Sequence, residues 1–253
     1  RLDRVVRNAD LFRQAEVRRT GSDAARSAAE LAGLENIESA VEQSQLFPAL
    51  TAFEAALSRL TGDPVDPALR AAVIEDARTL ARTFGIAAQG LDSVGEGLRF
   101  EATDAVAQAN LHAQELARVN LSLARATDAS SDQSMLLDQR DMLLQKLSGL
   151  VDIHTTFGPD QTVEVRLGGS GGPQFVAGVT TTPLAMATAA DGTISFTLGA
   201  APVVSAAGAL AGHAQALVQL ADSRTRLDGI ADELVATVNA VQTAGVALDG
   251  APG

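Results

Sequence analysis

At 253 residues, with a net charge of −12 and no cysteine, the chain has length for one or two domains and excludes disulfides, cysteine metal sites and thiol catalysis. The basic residues are 18 Arg and the single Lys146 against 31 acids, so the surface repels phosphate backbones and no nucleic acid is expected as a partner. Aromatics are only 3%, all Phe, so stability has to come from repetitive helix packing rather than a deep aromatic core, and no apolar run approaches the roughly 18 residues of a membrane span.

Residues 1–43 read as one long helix. Its first twenty residues hold six arginines (1, 4, 7, 13, 18 and 19) against Asp3, Asp10 and Glu16, which reads as a solvated basic face. Val5, Ala9, Phe12, Glu16 and Arg19 make a poor apolar stripe, whereas Leu31, Leu34, Ile37 and Val41 make a good one and are the expected buried face. Leu46 to Leu60 reads as a short helix closed by Thr61-Gly62-Asp63-Pro64. Asp66-Pro67 then carries the start signal of a further helix, with Asp as the cap and Pro at the first helical position.

Between Asp66 and Thr127 one stripe runs without a break. It reads Leu69, Val73, Ala77, Leu80, Phe84, Ala88, Leu91, Val94, Leu98, Ala102, Ala105, Ala109, His112, Leu116, Val119, Leu123, fifteen steps over 54 residues. That is the 3.6 period of a straight α-helix, and such a helix would run roughly 90 Å. Gly95 and Gly97 predict a bend. Asp128 to Asp132 reads as a polar connection and Ser134 to Leu147 as another helix.

The character changes at Gly149. Residues 151–200 hold eight Gly and five charges, and Thr162–Leu167 and Thr193–Leu198 alternate strictly, with Val163, Val165, Leu167 and Ile194, Phe196, Leu198 facing inward. Gly158-Pro159-Asp160 and Asp191-Gly192 supply turns, so four or five antiparallel strands are expected. From Ala207 the helical period returns through Leu210, Ala214, Leu217, Leu220, Arg224, Leu227, Ile230, Leu234, Val238 and Val241. This last helix cannot bury its stripe alone and should lie against the first helices. The fold class is therefore mainly α with a small antiparallel β subdomain, in an elongated helical bundle. Its expected parts are a long-helix bundle at 1–149, a β subdomain at 150–205 and a returning helix at 206–253.

Chemistry is sparse. His112, His154 and His213 are far apart and none has a second His at i+3 or i+4; His112 reads as a buried structural histidine, His154 and His213 as surface residues. Gly168-Gly169-Ser170-Gly171-Gly172-Pro173 lacks the lysine and the following helix of a phosphate loop and reads as a hairpin connection. Asn120-Leu121-Ser122 matches a glycosylation sequon by chance, in mid-helix. Asp138 and Asp141 flank Arg140 on what reads as a solvated or ion-paired helix face. No catalytic, cofactor-binding or metal residue is expected, and an enzyme is not.

The run Leu136-Leu137-Asp138-Gln139-Arg140-Asp141-Met142-Leu143-Leu144-Gln145-Lys146-Leu147-Ser148-Gly149-Leu150-Val151-Asp152-Ile153 resembles the D-Q-R-D-x-L-L-x-x-L-S-x-L-V-D signature of the flagellar hook-associated protein 1 family. Asn239, Gln242, Ala244-Gly245-Val246 and Leu248-Asp249-Gly250 are similar to a second motif of that family, with Ala247 in place of its usual first Asp. Gly62-Asp63-Pro64 followed by Asp66-Pro67 resembles its N-x-P-x-D-P helix start. The resemblance implies a structural subunit at the junction of hook and filament, extracellular and exported unfolded through the flagellar secretion channel without a cleaved signal. It implies as partners further copies of the chain in a helical assembly, the hook protein, the second junction protein and a flagellar export chaperone. Both ends read as cuts in a longer protein, with the family's terminal helices and larger outer β domain removed, so a monomer or weak oligomer is expected. The competing readings are the flagellin-like hook-associated protein 3, which the Arg140 motif fits less well, and a helical adhesin or signalling module, which a strict 3.5 repeat would favour.

Overall fold

In a computed structural model, the backbone is described for residues 2–126 and 131–245, and side chains from residue 12 onward within those limits. Five helices and seven strands occur among them: α1 (Leu2–Gln43), α2 (Leu46–Gly62), α3 (Pro67–Leu123), α4 (Ser131–Leu150), β1 (Ile153–Phe157), β2 (Val163–Leu167), β3 (Gln174–Ala177), β4 (Thr180–Thr181), β5 (Leu184–Thr188), β6 (Ile194–Leu198), β7 (Ala201–Val203) and α5 (Ala209–Ala244). They form two compact units, the first from residues 1–34 and 96–218, the second from 35–95 and 219–253.

α3 starts where its sequence says it should. The Asp66 carboxylate accepts from the Ala68 N–H at 2.7 Å, and Pro67 takes the position whose own N–H would have no helical partner. Every position of the 3.6-period stripe is buried or half-buried, and the helix is unbroken through Gly95 and Gly97. It ends at Leu123, a turn short of the expected Thr127, which lies outside the described residues together with Asp128. Ser131 and Asp132, expected in the connection, are already the first turn of α4.

In the first unit the core is built by Ala102, Ala109, Leu116 and Leu123 of α3, Leu143, Leu144 and Leu147 of α4, Leu210 of α5, and the inward strand residues Val163, Val165, Leu167, Phe175, Phe196 and Leu198. Seven strands replace the four or five expected. They form a sheet ordered β1-β2-β3-β4 and another ordered β5-β6-β7, antiparallel throughout. β3, β5 and β7 carry no clean alternation in sequence. β7 contains Pro202, which an edge strand tolerates because an outward-facing residue needs no ladder N–H. The turns expected at Asp160 and Asp191 are present, each carboxylate accepting from the hydroxyl of the Thr two residues on at 2.6 Å.

α1 reverses the expectation made for it. Leu31, Leu34 and Val41 are exposed, and Ile37 alone of that stripe is buried. In the first unit α1 instead turns its small residues inward. A methyl group on Gly33 would collide with the Cβ of Ala216, and one on Gly212 would sit 2.8 Å from the Cβ of Ala29. Only missing side chains let the α1 and α5 backbones approach this closely, so the stripe that packs is the one with least apolar area. The returning helix thus does lie against the first helix within this unit.

The second unit has its own core of Ala49, Phe53 and Leu80, with Phe84, Leu234 and Val238 packed against it. Gly90 of α3 lies against Ala40, where an added Cβ would stand 3.3 Å from the alanine methyl, and Arg224 of α5 pairs with Asp92 of α3.

Candidate functional site

The signature run folds as α4 and its exit into β1, and Arg140 is its centre. Of the two readings of this face, solvated or ion-paired, Arg140 takes the ion-paired one: it is 3% exposed and pairs with Asp141. It stands at helical spacing from Leu136, Leu143 and Leu147 and shares their inward face. Its Nε and Nη2 donate to Asp141 Oδ1 at 2.9 and 2.7 Å, and its Nη1 donates to the Gln161 carbonyl at 2.8 Å. The guanidinium also lies 4.7 Å from the centre of the Phe157 ring. Gln161 adopts φ 65, which belongs to the β1–β2 turn whose carbonyl Arg140 holds. Asp138 is exposed and does not join this network.

Two asparagines of α3 complete the attachment of helix to strands. Asn120 is 1% exposed; its Nδ2 donates to the Val163 and Gly178 carbonyls at 2.8 Å each and its Oδ1 accepts from the Val163 N–H at 2.9 Å. Asn110 does the same at Leu184, donating to its carbonyl and accepting from its N–H, both at 2.8 Å. Each amide substitutes for a missing strand partner, satisfying backbone groups that burial would otherwise leave unpaired. The sequon reading of Asn120 is therefore void: every polar atom of its side chain is used. Sequence reasoning missed both clips. The available signal was an amide on an otherwise apolar stripe.

His213, expected on the surface, is buried, because it sits three residues after Leu210 and four before Leu217 on the packed face of α5. Its Nδ1 has no hydrogen bond and lies 3.5 Å from Glu101 Oε2 of α3. Burial pushes the imidazole below its ordinary value of 6.5, with Glu101 pulling the other way. The unfolded chain therefore binds the proton more readily than the folded one. Stability held at neutral pH should be lost as pH falls through about 6.5 towards the folded value. We expect the melting temperature to drop between pH 7.5 and 5.5, His213→Leu to flatten that drop, and Glu101→Gln to steepen it; thermal melts across this pH range check all three. His112 is half-buried, 3.5 Å from Glu115, and His154 is exposed on the edge strand β1. Gly168 to Pro173 connects β2 to β3 as a hairpin.

Among the described residues no group of His, Asp and Glu could hold a metal, and no helix is long and apolar enough to cross a membrane. What the helices do present is large apolar side chains facing solvent. In the first unit these are Leu31 and Leu34 of α1 and Phe100 and Leu111 of α3; in the second, Phe47 of α2, Ile74 and Ile86 of α3, and Val235 and Val241 of α5.

The family model for the flagellar hook-associated protein FlgK helical domain matches residues 31–253. The chain belongs to this family. It is 30% identical to flagellar hook-associated protein 1 of Salmonella typhimurium (strain LT2) over 146 residues, covering 57% of this chain and 26% of that protein. To flagellar hook-associated protein 1 of Bacillus subtilis (strain 168) it is 27% identical over 127 residues, covering 50% and 25%. The chain thus spans about a quarter of the curated relatives it matches. Its fold is similar to that of the flagellar hook junction protein FlgK from Burkholderia pseudomallei, with a TM-score of 0.73 and 25% identity over 91% of this chain and 45% of that one. The α-helical class with a small antiparallel sheet subdomain is the class of that FlgK structure. Of the sequence motifs, the Arg140 run lies within described residues, as do Asn239, Gln242, Ala244 and Gly245; Val246 through Gly250 lie outside them.

Proposed function

We propose that the protein containing this FlgK helical domain is a structural axial component of the bacterial flagellum that joins hook to filament. The observation that carries the reading is the family match taken with exposed apolar residues on helices of both units. Single apolar residues on a surface are ordinary, but a helix that packs Gly33 and Ala29 against its neighbour and exposes Leu31 and Leu34 is suited to a second set of contacts. Lateral packing of many such subunits adds small contacts into a stable assembly without requiring any deep site. The proposed partners are other copies of the chain, the hook protein, the second junction protein and an export chaperone. The proposed location is outside the cell, reached through the flagellar channel. The division we propose keeps 1–149 and 206–253 as the assembling helices and 150–205 as an outward-facing insert, with no catalytic role.

The matched relatives being hook-associated protein 1 favours this reading over the flagellin-like hook-associated protein 3. Negative-stain microscopy of the full-length protein mixed with hook fragments tests it. The protein should cap hook ends; absence of any association would favour a free-standing interaction module.

A further inference from the structure

In the first unit a cavity of about 460 Å³ opens between α1 and α4, with Arg13, Val17, Arg18, Asp138, Asp141 and Met142 among its lining. Arg18 is only 7% exposed, yet it makes no hydrogen bond and no ion pair among the described residues. Burial pushes its guanidinium below the ordinary arginine range, with Asp141 opposing and Arg140 reinforcing. The nearest acid is already engaged, since Arg140 directs two N–H groups at Asp141 Oδ1. Two buried guanidiniums thus stand near one carboxylate, and of the two only Arg140 is hydrogen-bonded to it. A mostly buried cation with no acceptor among the described residues is costly unless something else supplies one.

The cavity is far larger than a bare anion needs, because one water takes about 30 Å³ of liquid volume. Its rim carries exposed apolar surface from Val17 and Met142, and exposed Asp138 stands beside it. Arginine at the centre with apolar and Met side chains around it is the composition of a protein contact site.

We propose that this cavity is a docking site for an acidic segment of another protein chain, whose Glu or Asp carboxylate pairs with Arg18. A basic residue one turn away on the segment meets Asp138, and its apolar atoms lie on Val17 and Met142. That the occupant is a protein chain rather than a free metabolite rests on the assembly reading above.

The probe is a capped seven-residue peptide holding one Glu and one Lys four residues apart, titrated into the isotope-labelled chain while the arginine Nε–H resonances are followed. The Arg18 resonance should shift saturably. A Glu→Gln version of the peptide should bind at least tenfold more weakly, and Arg18→Met should abolish the shifts the peptide causes in the neighbouring Arg13 and Arg140 resonances. Arg18→Met should also raise the melting temperature by about 2–5 °C, since the cation it removes has no partner among the described residues. A lower melting temperature for Arg18→Met would overturn the proposal by showing a structural role. So would equal binding of the Glu and Gln peptides, or a response to inorganic phosphate as strong as that to the peptide, which would make the cavity a general anion site. Hook capping by the full-length protein alongside a silent Arg18 cavity sinks this inference alone; a responsive cavity with no capping sinks the junction reading.

Discussion

Asn120→Ala should lower the stability of the domain by about 3 kcal/mol, the sum of three lost hydrogen bonds and a Val163 N–H left buried without an acceptor. For a chain of this size that corresponds to a fall in melting temperature of about 6–12 °C. The effect is out of proportion to the size of the side chain. A polar group on a helix that serves two strand segments leaves several partners unsatisfied at once when it goes, whereas an apolar truncation leaves only a void. Asn120→Asp should be no milder, because it keeps the acceptor for Val163 N–H but faces the Val163 and Gly178 carbonyls with a buried negative charge. Asn110→Ala should cost about half as much, its site being half-buried with one strand residue to serve. The two asparagines are ten residues apart on one helix, about 15 Å, so the double variant should show the sum of the two losses. Thermal or urea melts of the four proteins decide it; a loss below 1 kcal/mol for Asn120→Ala would mean water replaces the amide.

Arg140→Met should be the other severe change, costing about 3–5 kcal/mol as expected when one partner of a buried ion pair is removed. Methionine fills much of the volume, so the loss is electrostatic in origin. Asp141 loses its two N–H donors and the Gln161 carbonyl loses the one from Nη1, while Phe157 loses the cation on its face. Arg140→Lys should recover little, since an ammonium cannot reach Asp141 and Gln161 with a planar fork. Adding Asp141→Asn to Arg140→Met should restore part of the loss by removing the stranded charge. Denaturant unfolding of this cycle measures the coupling; additive single changes would show that Asp141 is not the partner that matters. The same variants bear on the Arg18 cavity, because removing Arg140 frees Asp141 to pair with Arg18.

The sequence was most legible where one period ran long. The α3 stripe, the Asp66-Pro67 start, the β2 and β6 alternation and the two Asp turns are local patterns, and each appears where its residues put it. The short strands β3, β4, β5 and β7 were not legible, because strands of two to five residues hold too few alternations to read and depend on neighbours for their hydrogen bonds. His213 was misread, and the burial of the other polar anchors went unread, for a common reason. Arg140, His213, Asn110 and Asn120 all occupy apolar stripes, and residue type was allowed to outweigh position.

α1 marks the division most clearly. By itself the sequence determined that residues 2–43 are helical, since that depends on interactions within four residues along the chain. It also determined, through the signature around Arg140, the family to which the chain belongs. Which face of α1 is buried was decided only in three dimensions. Hydrophobicity favoured Leu31, Leu34 and Val41, but Gly33 opposite Ala216 and Gly212 opposite Ala29 let two backbones close together, and close packing gains dispersion contacts that a wider leucine interface would forfeit. That choice depends on what the partner helix offers, which no stretch of α1 encodes, and it is what leaves leucines on the outside.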